Sequence, residues 1–335
     1  MTKTLIIDAN NLLKIGFHGV KDYFHEGKHV GGIWYFLNTT RKFIEEYNID
    51  KVVVMWDGED SVYERRRYYP QYKQNRKGDD DPQKEVSFNH QRLRIKQYLE
   101  EMFIRQISVE HNEADDLISY YCQISENEQI IIFSGDRDLS QLISKNVSIY
   151  SPNTKKMYKF GDRIKLNDIE VPHENVKVCK IIMGDKSDNI DGIHYLGEKT
   201  MVKLFPEVLE RPVSFSDILI KAGELFKTDK ENKVLKNLIT GKTKMGIYGE
   251  EFFQTNEMII DLSKPFITDD GKRVVEEYYR ETLDPNGRGY RNLIKFMMED
   301  GLFKYLPKGD NNWVYFLKPF LKLTRKEKKN YKTKK

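Results

Sequence analysis

The chain has 335 residues, of which 32% are charged and 39% hydrophobic, and its formal net charge is +4. This length can bury a sizeable core in one large domain or two smaller ones. No apolar run approaches the roughly 20 residues that cross a bilayer, and the apolar stretch after Met1 is too short for a signal peptide. Cys122 and Cys179 lie in apolar contexts that are typical of buried free thiols. We expect a cytoplasmic protein without membrane segments or a disulfide framework.

Strands alternate with amphipathic helices in the first half of the chain. The predicted strands are Thr4–Ile7, Lys51–Trp56, Gln106–Val109 and Ile130–Phe133, and the predicted helices are Gly32–Tyr47, Val86–Phe103, Glu113–Ile124 and one starting near Leu139. This order predicts a mainly parallel sheet with helices on both faces. Three carboxylates, Asp8, Asp57 and Asp136, follow the carboxyl ends of strands, so parallel pairing should bring them to one edge. Beyond a hairpin strand at Lys155–Phe160 the patterns are mostly helical, which places a boundary near Val171.

Five further acidic residues occur in two short clusters. Glu113, Asp115 and Asp116 open a predicted helix, and Asp185 and Asp188 lie in a turn after Gly184. For Glu113 and Asp115 to bind one ion, Glu113 must lie just outside the first helical turn.

Each cluster alone is an ordinary helix cap or turn, but together the candidates number nine. They are Asp8, Asp57, Glu113, Asp115, Asp116, Asp136, Asp138, Asp185 and Asp188. Nine gathered carboxylates need neutralising cations, and Mg²⁺ or Mn²⁺ fits their oxygen ligands. Two ions about 3.5–4 Å apart would stabilise the attacking and leaving oxygens of a phosphodiester.

Two other segments favour nucleic acid as the substrate. Glu64–Lys77 interleaves Arg and Lys with Tyr, which suits phosphates and unpaired bases. Gly192–Phe205 has the glycine spacing of a nucleotide-binding P-loop, but Glu198 interrupts it and no strand precedes it, so we reject ATP binding. A glycine turn before a helix starting near Glu198 can instead contact duplex phosphates. A helix packing joint is the alternative.

Together these motifs resemble the flap endonuclease/5′-nuclease superfamily. The motifs are DANN at 8–11, YERRRYYPQYKQNRKG at 63–78, EADD at 113–116, SGDRDLSQL at 134–142 and GDKSDNIDGI at 184–193. The resemblance covers about Thr2–Phe205 and includes the 5′-nuclease domain of bacterial DNA polymerase I. With SPNTKK at 151–156 and EMIIDLSKPF at 257–266, it is most similar to the ribonuclease H group of T-even-type bacteriophages, which would place the protein in the cytoplasm of a bacterial host.

The resemblance implies a three-part α/β architecture. Residues 1–171 would form a PIN-like nuclease core with a mainly parallel central sheet, which includes a helical arch at about 73–90. Residues 172–306 would form a C-terminal helical domain with a helix-three-turn-helix DNA-binding element at about 184–205. Residues 307–335 would form a tail. A K⁺ ion would bind at that element. The matching hairpin has Tyr195 where the family often has glycine, which puts the K⁺ site in doubt because tyrosine adopts a positive φ only at a cost.

The resemblance also assigns roles to individual residues. Asp8, Asp57, Glu113, Asp115, Asp136 and Asp138 would bind the first metal or its waters, and Asp116, Asp185 and Asp188 the second, with Asp136 or Asp138 shared. Lys73 and Arg76 would contact the scissile phosphate, and Tyr72 would stack on a base. The remaining nucleic-acid contacts would be Arg65, Arg66, Gly192, Gly197, Lys199 and Thr200.

The implied function is a Mg²⁺-dependent 5′→3′ exonuclease and flap endonuclease that removes RNA primers and flaps in DNA replication. Its substrates would be branched or nicked DNA and RNA–DNA duplex, bound by a monomer. A non-cleaving DNA-structure-binding protein on the same fold and a PIN-type ribonuclease are the alternatives. The first would lack several site carboxylates, and none of the nine is missing here.

The C-terminal tail combines an aromatic and a basic segment. Asn311–Leu323 is rich in aromatic residues and is either a docking segment for a sliding clamp or single-strand-binding protein, or a last helix packed on the body. Lys318–Lys335 holds nine Lys or Arg and one Glu, a net charge of +8 that leaves −4 on the remainder. We expect Thr324–Lys335 to be disordered and to add non-specific affinity for DNA.

Overall fold

The computed structural model describes residues 1–76, 81–246, 249–306 and 312–334. Its centre is a six-stranded sheet in the order β5-β4-β1-β6-β7-β8, and two short hairpins, β2–β3 and β9–β10, lie outside it. The strands are β1 (Thr2–Asp8), β2 (Phe24–His25), β3 (Lys28–His29), β4 (Lys51–Met55), β5 (Arg105–Ile107), β6 (Glu128–Phe133), β7 (Val147–Ser151), β8 (Lys156–Tyr158), β9 (Arg163–Leu166) and β10 (Ile169–Pro172).

The sheet is mainly parallel, as predicted. Strand β1 pairs in parallel with β4, where Ile6 faces Val53, and with β6, where Ile6 faces Ile132. Only β8 runs antiparallel to its neighbour in this sheet. Asp8 ends β1, and Asp57 and Asp136 follow β4 and β6, so the three carboxylates lie at one edge.

Helices cover both faces of the sheet. They are α1 (Ala9–Gly19), α2 (Gly31–Glu46), α3 (Tyr63–Tyr68), α4 (Pro82–Glu101), α5 (Ala114–Ile124), α6 (Asn175–Met183), α7 (Glu198–Leu204), α8 (Glu207–Glu210), α9 (Phe215–Thr228), α10 (Lys233–Thr240), α11 (Glu250–Ile260), α12 (Asp269–Arg280), α13 (Tyr290–Glu299) and α14 (Asn312–Lys334). Because side chains alternate along a strand, Leu5 and Ile7 pack into the apolar cluster that contains Phe36, whereas Ile6 packs into the cluster that contains Leu117. Within the described ranges, none of the helices has the length and apolar character that a membrane crossing requires.

One prediction of local structure needs correction, and the domain boundary near Val171 stays a prediction. The helix expected near Leu139 is a short 3₁₀ helix, Asp138–Leu142, in which the Ser140 amide and hydroxyl both donate to the Arg137 carbonyl three residues earlier. Close to the predicted boundary at Val171, the cluster that contains Leu117 continues without a break into the helical half, where it includes Phe205.

In the predicted arch, residues 77–80 lie outside the described part of the chain, and α4 begins at Pro82 with the Asp81 side chain accepting a hydrogen bond from the Gln83 amide.

Residues 312–334 form a helix, so the prediction of disorder for Thr324–Lys335 is wrong for the part that the structure describes. Helix α14 buries Phe316, Leu317, Phe320 and Leu323 in the cluster that contains Phe36. The aromatic segment is therefore, from residue 312 onward, a last helix packed on the body, and its four buried side chains are not free to dock elsewhere. The helix continues to Lys334 because the basic residues after Leu323 are themselves good helix formers.

Candidate metal centre

The carboxylates at the strand ends are held by short polar contacts. Asp8 caps α1 by accepting a hydrogen bond from the Asn11 amide at 3.1 Å, and its other oxygen accepts one from the Ser134 hydroxyl at 2.8 Å. Asp57 accepts hydrogen bonds from the Asn10 side-chain amide at 2.6 Å and from the Ala114 backbone amide at 2.9 Å. The strand ends and the first turns of α1 and α5 thus fix both carboxylates.

The loop after β6 places two more carboxylates beside them. The Asp136 amide donates to the Ser134 hydroxyl at 3.0 Å, and the Asp138 amide donates to the Asp136 carboxylate at 2.9 Å. Gly135 allows this tight path, because a Cβ there would lie 2.8 Å from the side-chain amide of Asn153. The loop therefore presents Asp136 and Asp138 at the same edge as Asp8.

Four of the carboxylates form a first group: Asp8, Asp57, Asp115 and Asp136. Burial, the charge of Asp57 and to a lesser extent that of Asp136 raise the pKa of Asp8 to about 7. Burial and the charges of Asp136 and Asp8 also hold the pKa of Asp115 well above its usual range. Such mutual repulsion is the electrostatic signature of a site that a cation would neutralise.

A second group consists of Asp138, Asp185 and Asp188. One ligand oxygen from each lies within 4.8 Å of the others, a spacing that can hold a metal ion. Burial raises the pKa of Asp138 to about 7 against the opposing effect of Lys180, and the charges of Asp136 and Asp185 add to it. The Asp138 amide also contacts the Asp136 carboxylate of the first group, so the two groups adjoin at this loop, and the sharing of a carboxylate between two metals stays a prediction.

Lys180 is a site residue that was not identified from the sequence. Its ammonium group, on the last turn of α6, donates hydrogen bonds to Asp138 and, at 2.5 Å, to Asp185. Burial alone would raise the pKa of Asp185, but Lys180 and Ser187 hold it below its usual value. A lysine five positions before a candidate metal ligand was the available signal, and it carries little information without the helix geometry.

Glu113 and Asp116 both bind the guanidinium of Arg65. Glu113 has extended backbone angles at the start of α5, outside its first turn, as a shared ion with Asp115 would require. Its side chain nevertheless accepts a hydrogen bond from Arg65 at 2.6 Å, and Asp116 accepts two from the same guanidinium and one from the Phe266 amide. Since Arg65 is 4% exposed and its guanidinium is paired with these carboxylates, it is not positioned to contact a phosphate. Asp116, which is held by Arg65, does not join Asp185 and Asp188 in the second group.

The basic segment lies against the carboxylates. Lys73 donates to Glu113 and lies 3.8 Å from Asp188, and Arg76 binds Asp188 at 2.5 Å. Tyr72 is 3% exposed, with its hydroxyl 2.8 Å from Glu113, so its ring is not open to a base in this conformation. Arg66 is exposed and donates to the Tyr72 carbonyl at 2.9 Å.

The glycine turn predicted to contact duplex DNA connects α6 to α7. Gly192 has no room for a side chain, since a Cβ there would lie 2.0 Å from the Met183 carbonyl oxygen. Tyr195 adopts a φ of 66° and is exposed, so the turn keeps its left-handed residue at a cost of about 1–2 kcal/mol. Gly197 and Lys199 are exposed and Thr200 is half-buried at the start of α7. The contacts of this turn with DNA and K⁺ stay predictions.

The donor set fits hard divalent cations. The two groups offer only carboxylate oxygens, the ligand type that Mg²⁺ and Mn²⁺ prefer. Burial and neighbouring carboxylates raise the pKa values of Asp8, Asp115 and Asp138, so the protein alone compensates these three charges incompletely.

Comparisons with known proteins identify the family. A model of the family described as 5′-3′ exonuclease, N-terminal resolvase-like domain, matches residues 3–169. A 5′-3′ exonuclease of Halalkalibacterium halodurans is 31% identical over 216 residues, covering 61% of this chain and 69% of that protein. The chain belongs to the 5′-3′ exonuclease family. It is therefore a metal-dependent nuclease of the flap endonuclease/5′-nuclease superfamily, as its motifs indicated.

The family extends to larger proteins and to solved structures. DNA polymerase I of Streptococcus pneumoniae is 28% identical over 92% of this 5′-3′ exonuclease chain, which spans only 33% of that polymerase. The structure of bacteriophage T5 flap endonuclease, a pseudo-enzyme-product complex with DNA and metal ions, aligns with a TM-score of 0.61 and 20% identity. The alignment covers 90% of this chain and 99% of the T5 chain, which shows a shared fold.

Proposed function

We propose that the protein is a Mg²⁺-dependent 5′→3′ exonuclease and 5′-flap endonuclease that removes RNA primers and flaps during DNA replication. The observation that carries this proposal is the meeting of two carboxylate groups at one sheet edge, connected through Asp136 and Asp138. The T5 relative was solved with DNA and metal ions, which supports the same class of substrate here.

In this proposal each group of carboxylates holds one divalent ion, and Mn²⁺ can replace Mg²⁺. Asp8, Asp57, Asp115 and Asp136 would hold the first, and Asp138, Asp185 and Asp188 the second. Bound ions would lower the pKa of an attacking water and stabilise the charge on the phosphodiester oxygens. Glu113, through its contacts with Arg65 and Lys73, positions the basic segment rather than binding an ion directly.

The basic segment would position the scissile phosphate. Lys73 and Arg76 now bind Glu113 and Asp188 at the rim of the site. A phosphate that enters there would replace these carboxylates as the partner of Lys73 and Arg76. The two side chains would then stabilise the negative charge that develops on the phosphate oxygens. The half-exposed Arg76 is the better placed of the two to meet substrate first.

The hairpin after α6 would hold the duplex part of the substrate. Gly192, Gly197, Lys199 and Thr200 would contact its backbone without reading sequence, with K⁺ as an additional ligand of the turn. For a sliding clamp or single-strand-binding protein, the first turn of α14 offers Trp313, Val314 and Tyr315, which are 36–70% exposed.

One assay separates the proposal from its alternatives. A duplex with a labelled 5′ flap is incubated with Mg²⁺, with and without a chelator, beside a single-stranded RNA. Chelator-sensitive release of the flap supports the proposal. Binding without cleavage would indicate a DNA-structure-binding protein, and cleavage of the RNA alone would indicate a PIN-type ribonuclease.

A further inference from the structure

The outer face of α14 carries a continuous row of cations. Lys318, Lys322, Arg325, Lys329 and Lys332 are all exposed, and their spacings of four, three, four and three residues place them on one side of a helix. The opposite side holds Phe316, Phe320 and Leu323 in the core. Burial of the apolar side therefore fixes the direction in which the basic row points.

The one acidic residue of α14 does not neutralise this row. Glu327 is 7% exposed and binds Arg105, the first residue of β5, through contacts of 2.6 and 3.2 Å. Arg105 also donates to the backbone carbonyls of Tyr278 and Glu281, which ties α14 to the end of α12. The helix is thus anchored by an ion pair on its inner side, and Glu327 does not offset the positive charge of its outer side, where Asp50 is the acidic neighbour of Lys322.

The C-terminal half of α14 lies at the edge of the sheet opposite to the metal centre. Lys326 binds Asp50 at 3.2 Å, immediately before β4, and Thr324 donates to the carbonyl of Met102, shortly before β5. The candidate ligands lie beyond the other ends of the same parallel strands. Since β4 has five residues, about 16 Å of strand separates the two edges.

The C-terminal half of the basic row and the metal centre lie at opposite ends of the parallel strands. The row from Lys318 to Lys332 is about 21 Å long, which corresponds to about six base pairs of one DNA strand. Short DNA is stiff, with a persistence length of about 150 base pairs, so one short duplex would contact both only by running straight along the side of the body.

We infer that the outer face of α14 is a second binding surface for the phosphate backbone of a nucleic-acid duplex, separate from the stretch that is cleaved. It would bind without sequence preference and be sensitive to salt, because it offers only a row of charges. Its occupant is another duplex arm of the branched substrate, an assignment that rests on the proposed function. The surface is independent of the nuclease chemistry, so it can be tested without cleavage.

The test uses the full chain, a chelator to prevent cleavage, and a blunt DNA duplex of about 16 base pairs, longer than the basic row. The variant Arg325→Gln/Lys329→Gln/Lys332→Gln removes three exposed charges that lie outside the apolar core. Sedimentation velocity measures how many duplexes bind at low salt, and fluorescence anisotropy measures the salt dependence of the affinity.

We expect the wild type to bind two duplexes at low salt and the triple variant to bind one. The slope of log affinity against log salt for the weaker site should fall by up to about 2.7, which is 0.9 for each lost phosphate contact. A charge-retaining variant, Arg325→Lys/Lys329→Arg/Lys332→Arg, should behave like the wild type.

A matched control separates position from total charge. Lys221→Gln/Lys227→Gln/Lys230→Gln removes the same charge from exposed positions on and after α9 and should leave the second duplex bound. If the α14 variant keeps both the second duplex and the wild-type slope, or if the two triple variants have equal effects, the inference is wrong. An acidic protein would then be the remaining kind of partner for the row.

Discussion

Arg65 and Asp116 are joined by two parallel hydrogen bonds, from Nη1 at 2.5 Å and Nη2 at 2.9 Å, in a fully buried position. Each residue was expected to be functional, one as a phosphate contact and the other as a metal ligand. Their pairing, with Glu113 as a third partner, instead connects α3 to the start of α5. Both residues therefore influence the site by holding α3 against α5, rather than by contacting a metal or a phosphate directly.

Arg65→Ala should destabilise the protein by about 3–5 kcal/mol, because it leaves Asp116 buried without its partner. Thermal or urea unfolding measures this loss. Arg66→Ala, at the neighbouring exposed position, is the matched control and should change stability by less than about 0.5 kcal/mol. Unchanged stability of Arg65→Ala, together with weaker DNA binding, would restore the phosphate-contact role.

Lys180→Met should strengthen binding of a divalent ion at Asp138 and Asp185. The ammonium group neutralises these carboxylates and repels a second cation, so its removal should lower the dissociation constant about three- to tenfold, or ~1 kcal/mol. Calorimetric titration with Mn²⁺ measures the effect. The control is Lys177, which lies on the same helix as Lys180 but binds Asp261. Lys177→Met should leave Mn²⁺ affinity unchanged. Weaker binding in Lys180→Met would show that the lysine supports the ion rather than opposing it.

The stability of the metal-free protein should fall as pH rises from about 4 to about 7. Burial and neighbouring charges raise the pKa of Asp8 and of Asp138 to about 7. The folded state therefore binds more protons than the unfolded state in this window, and stability decreases with pH until both groups are ionised.

Melting temperatures in chelator at several pH values test this dependence. Asp8→Asn should flatten it, since the amide does not titrate. Added Mg²⁺ should stabilise the protein more at pH 8 than at pH 5, because the ion binds ionised carboxylates. A melting temperature in chelator that rises steadily across the window would contradict the proposed clustering of charge.

Much of the site could be predicted because strands and their ends are local features. The apolar runs that end at Asp8 and precede Asp136 predicted a parallel sheet, and parallel pairing alone brings those carboxylates together. Asp185 and Asp188 were recognised as an acidic pair in a turn after Gly184, but their contact with Asp138 depends on how α6 packs on the loop after β6.

The roles of the arginine and the lysine could not be predicted, because partners distant in sequence decide them. Arg65 resembled the neighbouring exposed Arg66 until its burial against α5 was known. Lys180 had no motif around it. The helical tail was missed because its composition resembles that of a disordered segment, whereas Glu327 finds its partner Arg105 more than two hundred residues earlier in the chain.

The central claim is that the carboxylates at the sheet edge carry out cleavage, and Asp136→Asn tests it most directly. The amide keeps an oxygen to accept the Asp138 backbone hydrogen bond, so the loop should keep its shape. On a labelled 5′-flap duplex with Mg²⁺, we predict that cleavage falls at least ~100-fold, equivalent to ~2.7 kcal/mol of transition-state stabilisation, while affinity for the duplex in chelator changes little. Cleavage by Asp136→Asn at the wild-type rate would contradict the account.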